Sequence, residues 1–406
     1  MEEKALIRVD PIYSGRPDDP NAPTITDLHE ARTRWGTMAL SAILTCASDK
    51  KVGLRKFLEL ADTTQRELVG GVAKDFYAKE LGLTEDTLET FLTVTNLGIT
   101  GCGFDNEVLA EESERRVVIE ATTCPIVHHA NLAGFQNGDP AMDDLSLWCD
   151  TYDNFESAAV SPSQGLIHSH CLGKGDKYCR IICVTLDEDD RRKDGEHIFD
   201  YTARLRKKQQ EYKPDGPWVL DDKPPELVQD LIRDFVSGSI EIQEKIAPTL
   251  YERRQIGAMV WGRIGAVSTL MAGKLLGWDT LIDSIPDKLG VALKKAAKQK
   301  AQSLGIQGDS ARDAATLHLN LIKGQGFGEY EIEEESPNRV KASCDKCPII
   351  EWGREAGLED EEIHIADWCS AARTQEAKVI SSSLTHTYTG CLGRGDSKCS
   401  WVIEKS

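Results

Sequence analysis

The sequence predicts an α+β protein made of two tandem copies of one domain, each a helical segment followed by an antiparallel sheet, the copies related by a pseudo-twofold. Three observations carry this. The stretch "CLGKGDKYC" at 171–179 returns as "CLGRGDSKC" at 391–399. Upstream, Gly101, Gly103, Phe104, Arg116, Val117, Cys124 and Pro125 reappear 223 residues later as Gly324, Gly326, Phe327, Arg339, Val340, Cys347 and Pro348. Trp148, Cys149, Glu156, Cys171 and Cys179 reappear 220 residues later as Trp368, Cys369, Glu376, Cys391 and Cys399, so a three-residue indel separates the two blocks. So long a period marks a duplicated domain rather than a solenoid, and two related domains on one chain invite the symmetry of a fused dimer.

The elements follow in order. Helical periodicity runs through "TDLHEARTRWGTMALSAILTCASD" and "VGLRKFLELADTTQRELVGGVAKDFYAKELG", and Thr84 is placed to cap the helix "TEDTLETFLTVTN". "GFDNEVLAEESERRVVIEATTCP" then reads as two antiparallel strands, "LWCDTYDNFESAAV" as a helix, and "LIHSHC" with "CRIICVTL" as a hairpin closed by a Gly-rich turn. Helices, hairpin, helix, hairpin is the order of an α+β domain with its helices on one face of the sheet. The first copy is expected over 1–190 and the second over 227–406. The charged, Pro/Gly-containing stretch 191–226 reads as a surface linker.

A length of 406 residues suits two domains. The net charge of −19, with no clustered Lys/Arg face, argues against nucleic acid or an anionic membrane as partner. "MEEKALIRVD" lacks the features of a secretory leader, so a cytoplasmic location is expected. The apolar window at 259–278 carries Arg263 and Lys274 and reads as a buried helix rather than a membrane span.

Four cysteines recur in each copy: Cys124, Cys149, Cys171 and Cys179, then Cys347, Cys369, Cys391 and Cys399. In a reducing compartment such a set points first to metal ligation, with inert packing thiols or a catalytic thiol as alternatives. Four thiolates suit a closed zinc site; an iron–sulfur cluster is the alternative, although the spacings lack its clustered runs. Between the last two cysteines of each set, the glycines permit a tight tip, and Asp176 and Asp396 can accept from nearby backbone N–H groups.

The Cys-x7-Cys hairpins with an internal Gly-Asp resemble the C-terminal signature of the 4-vinyl reductase domain family. The longer pattern Cys-Pro, Trp-Cys-Asp, Cys-Leu-Gly-x-Gly-Asp-x-x-Cys is similar to the L-2-amino-thiazoline-4-carboxylic acid hydrolase family. The first resemblance implies a small-molecule sensor domain whose hairpin cysteines help bind zinc. In those sensors an acidic ligand precedes the hairpin by three residues, where this chain has His168 and Tyr388.

The second resemblance implies a hydrolase opening a C–N or C=N bond of a small heterocyclic or amidine-like acid. For such chemistry the residues unique to the first copy are the candidates: His168 and His170, expected on one face of a strand, and Asp150 beside Cys149. Hydrolase, non-catalytic sensor and iron–sulfur accessory protein are the readings carried forward, each with a small molecule as the expected partner.

Overall fold

The computed structural model describes residues 22–102, 106–193, 195–208 and 218–405. Gly103 and Phe104 of the repeated motif and positions 209–217 of the expected linker lie outside them. In chain order the elements that position the sites are α1 (Ile25–Ser48), α2 (Gly53–Thr64), α3 (Arg66–Gly71) running into a π-helical turn (Val72–Ala78), α4 (Leu88–Cys102), β1 (Glu107–Glu112), β2 (Arg116–Ala121), α5 (Pro125–Leu132), α6 (Leu145–Val160), β3 (Gln164–His170), β4 (Cys179–Thr185), α7 (Ile198–Lys208) and α8 (Pro225–Glu244). Then come α9 (Leu250–Leu276), α10 (Leu289–Ser303), α11 (Ala311–Ile322), β5 (Tyr330–Glu335), β6 (Arg339–Cys344), α12 (Pro348–Glu355), α13 (Ile365–Ala377), β7 (Leu384–Gly390) and β8 (Cys399–Lys405).

The protein is α+β, with two four-stranded antiparallel sheets ordered β1-β2-β4-β3 and β5-β6-β8-β7. Their registers agree residue for residue: Glu107 faces Ala121 as Tyr330 faces Cys344, and both sheets break register at Leu109/Glu111 and Ile332/Glu334. Three helix N-termini have a local cause in a side-chain cap. Thr24 and Asp27 form a capping box on α1, and Ser310 and Asp313 form the same box on α11. The cap of α4 is Thr87, whose Oγ1 accepts the Thr90 N–H at 3.2 Å, and not the expected Thr84. At the α3–π junction, a Cβ on Gly70 would stand 2.9 Å from Ala159, so glycine lets this backbone approach α6.

Two compact units form. Among the described residues, the first draws on 53–128 and 136–253, and the second on 22–52, 129–135 and 254–405. Packing thus divides the chain elsewhere than sequence similarity does, since α1 belongs to the second unit and the first continues to Arg253. The stretch read as a surface linker contains α7, whose Ile198, Tyr201 and Leu205 are buried, and the start of α8, whose Val228 and Ile232 pack with Val108 of β1. Helix α9 is long and apolar enough to cross a membrane by length and composition, and 78% of that window is buried in the protein.

Candidate ligand cavity and cysteine centres

The two cysteine hairpins close with the same geometry. Cys171 N–H donates to Asp176 Oδ2 at 2.7 Å, and Cys391 N–H to Asp396 Oδ2 at 2.7 Å. Gly175 and Gly395 have φ of 88° and 87°, a backbone that only glycine adopts without strain. Leu172 N–H points at Cys179 Sγ, 3.3 Å away, and Leu392 N–H at Cys399 Sγ, 3.4 Å away. Backbone groups of Gly173 and Gly393 likewise favour the charged forms of Cys171 and Cys391. N–H groups directed at sulfur stabilise thiolate over thiol.

The remaining cysteines gather around these tips. The thiols of Cys124 and Cys171 stand beside Cys179, and those of Cys347 and Cys391 beside Cys399. These thiol contacts, followed by burial, push Cys171 and Cys391 up, and burial raises Cys149 and Cys369. In the second unit Cys344, Cys347, Cys369, Cys391 and Cys399 line one hollow of about 10 Å³ with Tyr330 and Tyr388, the room one small atom needs. As the side chains stand, no group of three or more His, Cys, Asp or Glu among the described residues is set to hold a metal ion. The donor set and its N–H partners nonetheless suit a thiolate-binding cation.

The expected histidine pair does not converge. A β-bulge between His168 and His170 breaks the alternation of β3. His168 turns to α6, where its Nδ1 and backbone N–H both meet Asp150 Oδ1 at 2.7 Å. The His170 ring instead lies edge-on to Trp218, 4.9 Å away. Arg206 of α7 donates to the other Asp150 oxygen at 2.5 Å. Burial alone would raise the Asp150 carboxyl and lower His168; Arg206 and their mutual bond reverse both, so Asp150 is held low and His168 high. Asp150 is fully buried and His168 nearly so. The trio is a closed ion network.

Sequence reading missed Asp153. One turn beyond Asp150 on α6, it makes no ion pair among the described residues, and burial pushes its carboxyl up to about 7. Its neighbour Glu156 is also pushed well up by burial and by Asp153. The available signal was its i,i+3 spacing from Asp150, together with the exchange of Asp for Arg373 in the second copy.

Above the first sheet a cavity of about 170 Å³ opens between β1, β2, β3, β4, α4 and α8. Leu92, Val117, Ile119, Leu166, Ile181 and Phe235 give it apolar walls, and Thr95, Asn96, Glu107, Glu112 and Cys183 are its polar positions. At matching register the second unit is solid. His318 stands for Thr95, Tyr330 for Glu107, His386 for Leu166 and Trp401 for Ile181. These rings pack together, His318 on His386 at 4.5 Å and Trp401 on His386 at 5.0 Å. Burial lowers both histidines, His318 to about 4, so the plug is uncharged at neutral pH.

Against family models, curated proteins and solved structures, the chain finds no match.

Proposed function

We propose that the chain is a small-molecule-binding module made from a duplicated domain, in which the first unit takes the ligand over its sheet and the second keeps the frame with that space filled. One observation carries this reading: the same register is hollow where Thr95, Glu107, Leu166 and Ile181 stand and solid where His318, Tyr330, His386 and Trp401 stand. A concave, mostly apolar site with few polar groups is how small ligands are held. His168, Asp150 and Arg206 then fasten β3 and α7 to α6. The test is calorimetric titration with a panel of one-ring molecules. Wild type binds, and Ile181→Trp, which copies the plug, abolishes binding while melting cooperatively; no binding across the panel refutes the reading.

Zinc at each cysteine centre belongs to the same proposal, supported by the N–H groups aimed at sulfur. Zinc binding to such a set contributes directly to folding free energy. Cys171→Ser and Cys391→Ser should each remove about one zinc per chain and lower the melting temperature by roughly 10 °C or more. Elemental analysis with calorimetry reads both, and a brown chromophore would indicate an iron–sulfur cluster instead.

A second reading is favoured by His168, which bonds Asp150 and lies within electrostatic reach of the Cys171 thiol. Acid, histidine and thiol in that order can activate a nucleophile. The chain would then open a C–N or C=N bond of a small heterocyclic acid, and His168→Ala would cut turnover at least ~100-fold. Ring-opened product from aminothiazoline and imidazoline acids would be the readout.

A further inference from the structure

Resting on the reading of zinc at each cysteine centre, we propose that the centre of the second unit is an oxidation site, in which Cys344 and Cys399 join as a disulfide and the ion is released, while the centre of the first unit has no such reaction. The number of sulfurs sets the difference. A closed tetrahedral zinc site takes four thiolates, and five cysteines, Cys344, Cys347, Cys369, Cys391 and Cys399, line the hollow of the second unit. Four of them recur in the first unit, and Cys344 does not. The sheets agree in register, yet the residue opposite Cys179 is Ala121 and the residue opposite Cys399 is Cys344.

Position sets the pairing. Cys344 ends β6, Cys399 begins β8, and the two are direct partners across the antiparallel pair. Opposite residues of such strands point to one face with Cβ atoms about 4.5–5.5 Å apart, and a disulfide needs about 3.5–4.5 Å. At strand ends an approach of about 1 Å disturbs a single rung of the ladder. Cys344 is 3% exposed and Cys399 4%, but their chain neighbours Asp345 and Lys398 are exposed, so the pair lies directly beneath the surface, within reach of a molecule little larger than water.

A second exchange between the units goes with the extra thiol. Tyr330 is the strand partner of Cys344, lines the same hollow and brings its phenol beside that sulfur. In the first unit the strand partner of Ala121 is Glu107. A phenol O–H donates to a thiolate, whereas an ionised carboxylate only accepts and would repel it. On the other sulfur, Leu392 N–H is aimed at Cys399 Sγ, 3.4 Å away. Both members of the pair thus have a donor for the thiolate form, which is the form that reacts.

The oxidant is hydrogen peroxide. The Cys399 thiolate attacks one peroxide oxygen: an S–O bond forms, the O–O bond breaks, and the leaving hydroxide takes up the thiol's proton as water. The sulfur has given two electrons to the peroxide and is a sulfenic acid. Cys344 sulfur then attacks it, the S–S bond forms, the S–O bond breaks, and hydroxide leaves with the Cys344 proton as a second water. Two thiols and one peroxide become one disulfide and two waters. Cys347, Cys369 and Cys391 remain, one thiolate short of a closed site.

The experiment exposes the full chain, loaded with zinc, to hydrogen peroxide, follows released zinc with a chromogenic chelator, and maps disulfides by mass spectrometry after the remaining thiols are alkylated. Wild type should form the Cys344–Cys399 bond and release about half its zinc, and dithiothreitol with added zinc should restore both. Cys344→Ala copies Ala121 and keeps the four recurring cysteines, so it should hold full zinc at rest and release it at least ~10-fold more slowly, the least that a neighbouring thiol contributes. The wild-type disulfide map needs no variant, so a misfolded Cys344→Ala leaves the test intact. Equal release from wild type and Cys344→Ala, loss of all the zinc from wild type at one rate, or a map in which Cys399 stays reduced or pairs elsewhere overturns the proposal. A chain that takes up no zinc overturns the zinc reading and the ion release with it, and the map then decides on the thiol pair.

Discussion

Helices α6 and α13 pack under sheets of matching register, yet they handle buried charge in opposite ways. On α13, Glu376 is gripped by Arg34 and Arg373, with His318 3.7 Å from its second oxygen. Burial would raise that carboxyl, and the two guanidinium groups hold it far below the carboxylate range. On α6 the same position is Glu156, which has no cation among the described residues, and Asp153 occupies the place of Arg373. The outer faces of the sheets diverge too. Val118, Ile167 and Ile182 are buried in the first, whereas Lys341 and Thr387 stand at the places of Val118 and Ile167 in β6 and β7, and only Val402 keeps an apolar side chain, at that of Ile182. The comparison teaches that turn chemistry and strand register preserve the frame, while side chains facing the helices are free to become either a closed polar core or an open, acidic, hollow one.

The largest test of that difference is a matched pair. Glu376→Gln leaves two buried arginines without their counter-charge and should cost about 3–5 kcal/mol. Glu156→Gln removes a carboxyl already disfavoured in its charged form, and should be neutral or stabilising. Urea denaturation of both measures the contrast; equal losses would break it.

The next effect comes from Asp153. Burial pushes its carboxyl up to about 7, above the ordinary carboxyl value of 3.8. Between those values the folded state keeps a proton that the unfolded chain has released. Its favourable contribution is therefore complete below pH 3.8 and is lost as pH rises to 7. Asp153→Asn has no such loss, so it should match wild type near pH 4 and exceed it at pH 8 by on the order of 4 kcal/mol. A constant difference across that range would remove Asp153 from the account.

Much of the frame was legible because its signals are local. Alternation marked the strands, and Gly175 and Asp176 marked the tip. The α4 cap was displaced from Thr84 to Thr87 because two threonines bracket the start, and the choice falls to the turn that seats Leu88 and Phe91 in the core. The bulge that parts His168 from His170 depends on pairing with β4, which alternation along one strand does not contain. The apolar stripe of Ile198, Tyr201 and Leu205 was present in the sequence but lay among charges. Nor does the sequence of α1 say which unit it joins, because an apolar face specifies burial and not the partner. The cavity was least legible of all, since it arises from small side chains on four strands and two helices at once.

The smallest prediction concerns what the units share. Asp176 and Asp396 each accept one backbone N–H at 2.7 Å from the first cysteine of the tip. Both lie near the surface, so Asp176→Ala and Asp396→Ala should each cost about 1 kcal/mol, the worth of one partly solvated hydrogen bond to a charged acceptor. The two losses should agree within about 0.5 kcal/mol and add in the double variant, because the sites stand in separate units. Calorimetric unfolding of the singles and the double checks both points. Unequal costs would mean that the hairpins, alike in geometry, carry different loads, and that the divergence between the units reaches from the helix-facing side chains into the cysteine centres.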